Sequence, residues 1–180
     1  MKRTILFFAL IALMSFSLTA NAQSDPSATG RRNSLSVGGM ASVGQPDYAG
    51  RGIAESSPYK LFGYGAFVDY RASRWLQLEA EARWLNYNKY EDINENNYLI
   101  GLREPIHTFG KLTPYGKVLI GTGSGKFLNG SATNIAYGGG ADYRLTKRLS
   151  VRGDFEYQRW RVNPTLHPYV GSIGVSYKIF

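Results

Sequence analysis

Residues 119–130 read LIGTGSGKFLNG, an apolar run followed by Gly121, Gly123, Gly125 and Lys126. That is the composition of a phosphate-binding loop. A Walker A loop requires Gly-x-x-x-x-Gly-Lys and then Ser or Thr, whose hydroxyl holds Mg²⁺. With Gly125-Lys126 as its end, Ile120 takes the place of the first glycine and Phe127 that of the hydroxyl. The dinucleotide pattern Gly-x-Gly-x-x-Gly fails as well, because Lys126 and Leu128 fall where the third glycine belongs. No helix is expected to follow. The stretch reads as the end of a strand entering a loop, with glycines that let the chain turn and let neighbouring backbones approach.

The remaining reactive side chains are few. His107 and His167 are the two histidines, and a metal site would want several ligands clustered together. A hydrolase would need a base beside its nucleophile and an acid to orient the base. Ser172 lies five residues beyond His167, a spacing that puts the two on opposite faces of a strand. Glu79 and Glu81 could be an acid pair, but they stand two apart beside Arg83 and read better as members of an ion-pair network. No catalytic, cofactor-binding or metal-ligating residue is therefore assigned, and the protein is not expected to be an enzyme. Abundant glycine and tyrosine could suggest a stacking platform for nucleic acid, but export argues against such a partner.

Export is written at the start of the chain. Lys2 and Arg3 precede an apolar run from Ile5 to Phe16, and Ala20-Asn21-Ala22 offers small residues for cleavage. Residues 1–22 thus read as a secretory signal peptide, 23–33 as a short N-terminal segment and 34–180 as one domain. The formal charge is +8; contact with anionic lipid headgroups is its natural use in an exported protein. There is no cysteine. An exported domain without disulfides must be held by another device, such as a large core or a closed hydrogen-bonded sheet. No stretch after the signal reaches twenty apolar residues, but a strand crosses a membrane with about ten residues, every second one apolar.

The pattern along the chain is one of strands. Thirteen Tyr, nine Phe, three Trp and twenty-one Gly accompany no helical stripe. In Trp75 to Trp84, WLQLEAEARW, Leu76, Leu78, Ala80, Ala82 and Trp84 share one face and Gln77, Glu79, Glu81 and Arg83 the other. Similar alternation runs through 62–71, 134–145 and 149–158, and more weakly through 34–44, 97–104, 113–122 and 168–180. Eight strands are expected. Their connections near 71–75, 105–112 and 145–149 are short. Those near 45–59, 88–96, 123–133 and 161–167 are mostly longer. This is an up-and-down meander with short periplasmic turns, longer outer loops and both ends on the short-turn side.

Alternation suits a soluble ligand-binding barrel with its apolar face inward as well as a membrane barrel with that face toward lipid. Three features favour the membrane. The polar face carries both signs of charge: Glu79, Glu81, Arg83, Arg103, Lys117, Asp142, Arg144, Arg152, Asp154 and Glu156. Packed into a narrow lumen, these would form an ion-paired plug, since unpaired buried charge is very costly. Aromatics that suit the headgroup level gather near strand ends: Tyr70, Trp75, Trp84, Tyr87, Tyr143, Tyr157, Trp160, Tyr169 and Tyr177. The chain stops at SYKIF, directly after an alternating strand that can pair with the first and leave no edge.

AYGGGADYRLTKRLSVRGDFEYQRW, residues 136–160, resembles the sixth and seventh strands of small bacterial outer-membrane barrels of the outer membrane protein A type. The resemblance is carried by Gly138, Gly139, Gly140, Asp142, Tyr143, Arg152 and Asp154. TPYGKVLIGTGSGKF resembles the fifth strand running into an outer loop, and the likeness covers residues 34–180. Nothing follows the barrel, so the cell-wall tether of the larger members is not expected. Tyr177 and Phe180 resemble an insertion signal, although Phe180 is one residue out of step with Ile173, Val175, Tyr177 and Ile179.

Together these readings imply an all-β, eight-stranded antiparallel transmembrane barrel in the bacterial outer membrane. Its expected role is structural or one of surface interaction, with no cofactor. Its partners would be outer-membrane lipids, the barrel-insertion machinery during assembly and an unnamed ligand at loops 45–59 or 123–133; it would be a monomer. A narrow porin-like channel, a lipid A-modifying barrel enzyme and a soluble small-ligand barrel are the alternatives.

Overall fold

The computed structural model of the chain describes residues 33–47, 60–73, 76–87, 94–125 and 130–180. The proposed signal peptide, Trp75, most of loop 45–59 and residues 126–129 of loop 123–133 lie outside these.

Eight strands follow one another: β1 (Ser34–Gln45), β2 (Leu61–Arg71), β3 (Gln77–Tyr87), β4 (Glu95–Pro105), β5 (Leu112–Gly125), β6 (Ser131–Arg144), β7 (Leu149–Arg161) and β8 (Tyr169–Lys178). Each is antiparallel to its neighbour in sequence, and β8 pairs with β1 to close the barrel. The seam runs from Ser36 opposite Lys178 to Gln45 opposite Tyr169. It is extended by hydrogen bonds from Leu35 N to Phe180 O (3.2 Å) and from Ile179 N to Leu35 O (2.7 Å). No strand is left with an open edge, the condition for a sheet in hydrocarbon.

The strands are ten to fourteen residues long, enough to cross a bilayer at a tilt. At one end, here the turn end, their connections are short. Leu145 N bonds Leu149 O at 2.9 Å, and the Thr146 hydroxyl accepts from Leu149 N at 3.0 Å. Between β4 and β5, Phe109 and Leu112 exchange both backbone hydrogen bonds around Gly110, whose φ of 63° lies where a side chain would strain. The opposite, loop end carries the longer connections between β1 and β2, β3 and β4, and β7 and β8. There β5 and β6 extend into the expected loop 123–133 and leave only residues 126–130 between them, no longer than the β2–β3 turn.

The alternation turns the apolar set outward. Ile173 is 63 % exposed, and Ile100 and Val118 are each 58 % exposed. The charged set is inside, with Arg83 and Glu156 fully buried. This is the reverse of a soluble barrel.

Candidate functional site: the barrel lumen

The lumen is built from residues of one parity on each strand. Nine of the ten expected network residues converge there. At its centre the Lys117 ammonium from β5 lies 2.9 Å from Glu79, 3.3 Å from Glu81, 3.0 Å from Asp154 and 2.5 Å from Glu156. Arg83 grips Glu156 in a two-pronged contact, both bonds 2.9 Å, and reaches Glu81 at 3.1 Å. Arg152 donates to Glu79 (3.0 Å), to Asp142 (3.0 Å) and to Asp69. Arg103 pairs with Asp142 and lies 3.4 Å from Glu79. The contacts of Lys117, of Arg83 with Glu156, of Arg103 with Asp142 and of Arg152 with Glu79 and Asp69 join non-adjacent strands across the interior. Two aromatic rings share the charged face: the Arg103 guanidinium stacks 3.7 Å from the Tyr115 ring centre, and that of Arg152 lies 4.0 Å from Phe67. Flat cations on ring faces fill a narrow lumen while keeping their edges free for carboxylates.

Toward the loop end amide side chains line the lumen. Asn134 donates to Asn97 (2.7 Å) and Gln158 (2.9 Å). Beyond this amide layer the buried Glu95 of β4 stands among apolar side chains, with Leu61, Leu85 and Val170 in one cluster and Ala132, Trp160 and Leu166 in another.

Two assignments need correction. Arg144 is not in the network: it is exposed at the end of β6, where it lines the turn-end mouth of the lumen. Its parity matches Asp142, but it lies one residue pair too far toward water. Trp160 is not an outward ring: it is buried in the lumen, and its indole N–H donates to Gln158 at 2.9 Å. It shares parity with Arg152, Asp154, Glu156 and Gln158, and that parity overrides any preference of tryptophan for the headgroup level. The glycines of LIGTGSGKF take part here. The Trp160 ring occupies the space that a Cβ on Gly123 would fill. Asp69, Asn97, Asn134, Gln158 and Tyr115 are lumen residues that the search for charged pairs passed over, although alternation with charged neighbours would have placed them inside.

The other described aromatics of the expected interfacial set lie on the outward face. Tyr70, Tyr143 and Tyr177 are exposed near the turn end. Near the loop end, Trp84 donates its indole N–H to the Tyr98 hydroxyl (3.0 Å) and packs on Tyr64 at 5.6 Å. Tyr157 is half-buried between Tyr137 and His167. Tyr177 also accepts a hydrogen bond from Arg148 at 3.1 Å. Phe180 is exposed beyond the last strand pair. His167 and His107 are at opposite ends, in the β7–β8 and β4–β5 connections. The Ser172 hydroxyl faces that of Ser42 at 2.9 Å inside the barrel, whereas His167 lies against Tyr157 and Asp47. Nucleophile and base are thus kept apart.

A closed antiparallel barrel with a lipid-compatible exterior and an ion-paired interior defines a small membrane barrel. The chain belongs to the outer membrane protein beta-barrel domain family, whose sequence model matches residues 8–178; its place is the bacterial outer membrane. The fold is similar to that of Neisserial surface protein A, at 14 % identity over 81 % of this chain and 96 % of that one, with a TM-score of 0.55. It is similar to the N-terminal barrel of OprF from Pseudomonas aeruginosa, at 16 % identity over 79 % and 96 %, TM-score 0.51. It is also similar to Ail, the attachment invasion locus protein of Yersinia pestis, at 16 % identity over 81 % and 97 %, TM-score 0.51. At these identities the likeness is one of fold. No curated relative matches the sequence.

Proposed function

We propose that this protein is a non-conducting, non-enzymatic barrel whose role is structural or exerted at the cell surface, with its lumen closed by ion pairs. The observation that carries the reading is the Lys117 node, where one ammonium is held by four carboxylates from β3 and β7. An eight-stranded barrel leaves an interior just wide enough for side chains. Filled by this network and capped at the loop end by Leu61, Leu85 and Val170, it offers ions no continuous wet path.

On this reading the short turns face the periplasm and the long connections face outward. Tyr70, Tyr143 and Tyr177 then sit at the headgroups of one leaflet, and Trp84 and Tyr157 near those of the other. The outward row Ile173, Val175 and Tyr177, with Phe180, is what the insertion machinery reads. Loops 45–59 and 123–133 carry any surface partner, a role in keeping with the names of the surface and attachment proteins that share the fold. The barrel works as a monomer in lipid.

Planar-bilayer recording of the purified protein tests the closed lumen. The expected record is flat at all applied voltages. Reproducible conductance steps, retained after further purification, would overturn the reading in favour of a narrow channel.

A further inference from the structure

The lumen holds buried apolar clusters toward the loop end and is hollow toward the turn end. A cavity of about 210 Å³ opens there, lined by seven basic and two acidic side chains. Five of the cations form its rim: Arg71 from β2, Arg144 from β6, Lys147 and Arg148 from the β6–β7 turn, and Lys178 from β8. Arg103 and Arg152 form its floor. The two lining carboxylates are already engaged, Asp69 by Arg152 and Asp142 by both Arg103 and Arg152. The rim cations therefore have no uncommitted carboxylate in the cavity to answer them. The deeper acids around Lys117 lie behind the floor guanidiniums. Ser36, Ser150 and Ser176 add hydroxyl donors to the wall.

We propose that this vestibule is a binding site for a phosphate-class anion, presented either as a soluble phosphate or as a phospholipid headgroup of the surrounding leaflet. Like charges at a concave mouth with low-dielectric walls focus the field and raise the local anion concentration. Guanidinium forks and ammonium groups match the several acceptor oxygens of a phosphate. The volume is several times the ~30 Å³ of a water molecule, so a phosphate fits with part of its hydration or with a few attached atoms. On the closed-lumen reading proposed above, the vestibule is a blind pocket, in which an anion binds without passing through. This goes beyond the structural reading and does not rest on any outer-loop partner.

The test is titration of inorganic phosphate into the isotope-labelled barrel in phosphatidylcholine nanodiscs, followed by backbone amide shifts. Saturable shifts are expected at Lys147, Ser150 and Ser176. The double variant Arg144→Gln/Lys147→Gln should weaken binding about tenfold. Arg159→Gln/Arg161→Gln, which removes two exposed cations at the loop end, should leave binding unchanged. All four side chains are exposed, so folding is spared, and a heat-dependent band shift on gels confirms it. Repeating the titration in nanodiscs that also contain phosphatidylglycerol identifies the source. A headgroup occupant lowers the apparent phosphate affinity there, whereas a soluble occupant binds equally in both lipids. Absence of saturable shifts at the turn end, or equal weakening by the loop-end control, would overturn the proposal.

Discussion

Arg83 of β3 and Glu156 of β7, seventy-three residues apart, meet across the lumen through two parallel 2.9 Å hydrogen bonds. Both side chains are fully buried. Removing one partner of such a pair leaves a buried charge without its counter-ion, at a cost of about 3–5 kcal/mol, while replacing both with apolar groups costs far less. Arg83→Met alone and Glu156→Met alone should each destabilise the barrel by about that amount. The double variant should recover most of the loss. Urea unfolding in lipid vesicles measures all three, and strictly additive losses would refute the coupling.

Lys117 is the shared counter-ion of four carboxylates. Lys117→Met leaves those acids facing one another around an apolar side chain. Its destabilisation should therefore reach or exceed the ~3–5 kcal/mol of a broken pair. Adding Glu79→Gln and Asp154→Asn to Lys117→Met should restore part of the stability by removing the repulsion. If Lys117→Met unfolds at the wild-type urea concentration, the node is not what holds these strands together.

Outside and inside differ in what they tolerate. Ile100, at the middle of β4, is 58 % exposed on the outward face. An arginine there meets the lipid midplane, at about 2–4 kcal/mol. Ser150 faces the aqueous turn-end vestibule, and Ser150→Arg should change stability by less than about 1 kcal/mol. Equal losses from the two substitutions, compared by the yield of heat-modifiable protein in vesicles, would contradict the face assignment.

The bare backbone at Gly123 gives the Trp160 ring its space, whereas nothing lies near a Cβ on Gly153. Gly123→Val should overpack the lumen and cost about 1–3 kcal/mol. Gly153→Val, on the lipid face of β7, should be close to neutral. Unfolding curves of the two variants provide the comparison, and equal stability would mean that the indole can lie elsewhere.

Much of this architecture was legible because a strand's period of two is insensitive to what lies on either side. Glu79, Glu81 and Arg83 announced a charged face, and their neighbours Leu78, Ala80 and Ala82 the lipid one. Parity says which face a residue occupies but not how deep it sits. That is why Arg144, in phase with Asp142, was expected among the ion pairs yet lies in the water of the mouth. Trp160 failed for the opposite reason: its residue type suggested the headgroups while its phase with Gln158 put it inside. The apolar cap of Leu61, Leu85 and Val170 was hidden because apolar residues inside a membrane barrel break the expectation of a polar lumen. The individual pairings, such as Lys117 with four acids, depend on the shear of the closed barrel, which alternation along single strands does not encode.

The inside-out arrangement is tested most directly by the tryptophans. Trp84 lies on the outward face beside Tyr64 and Tyr98, while Trp160 is sealed in the lumen. Two single-tryptophan proteins are needed, one keeping Trp84 and one keeping Trp160, with phenylalanine at the other two tryptophan positions. Each is refolded into vesicles containing lipids brominated along their chains, and fluorescence is compared with that in unbrominated lipid. Strong quenching of Trp84 with Trp160 left bright is the predicted result. Quenching of Trp160 with Trp84 spared would place the charged face against lipid and contradict the plugged barrel.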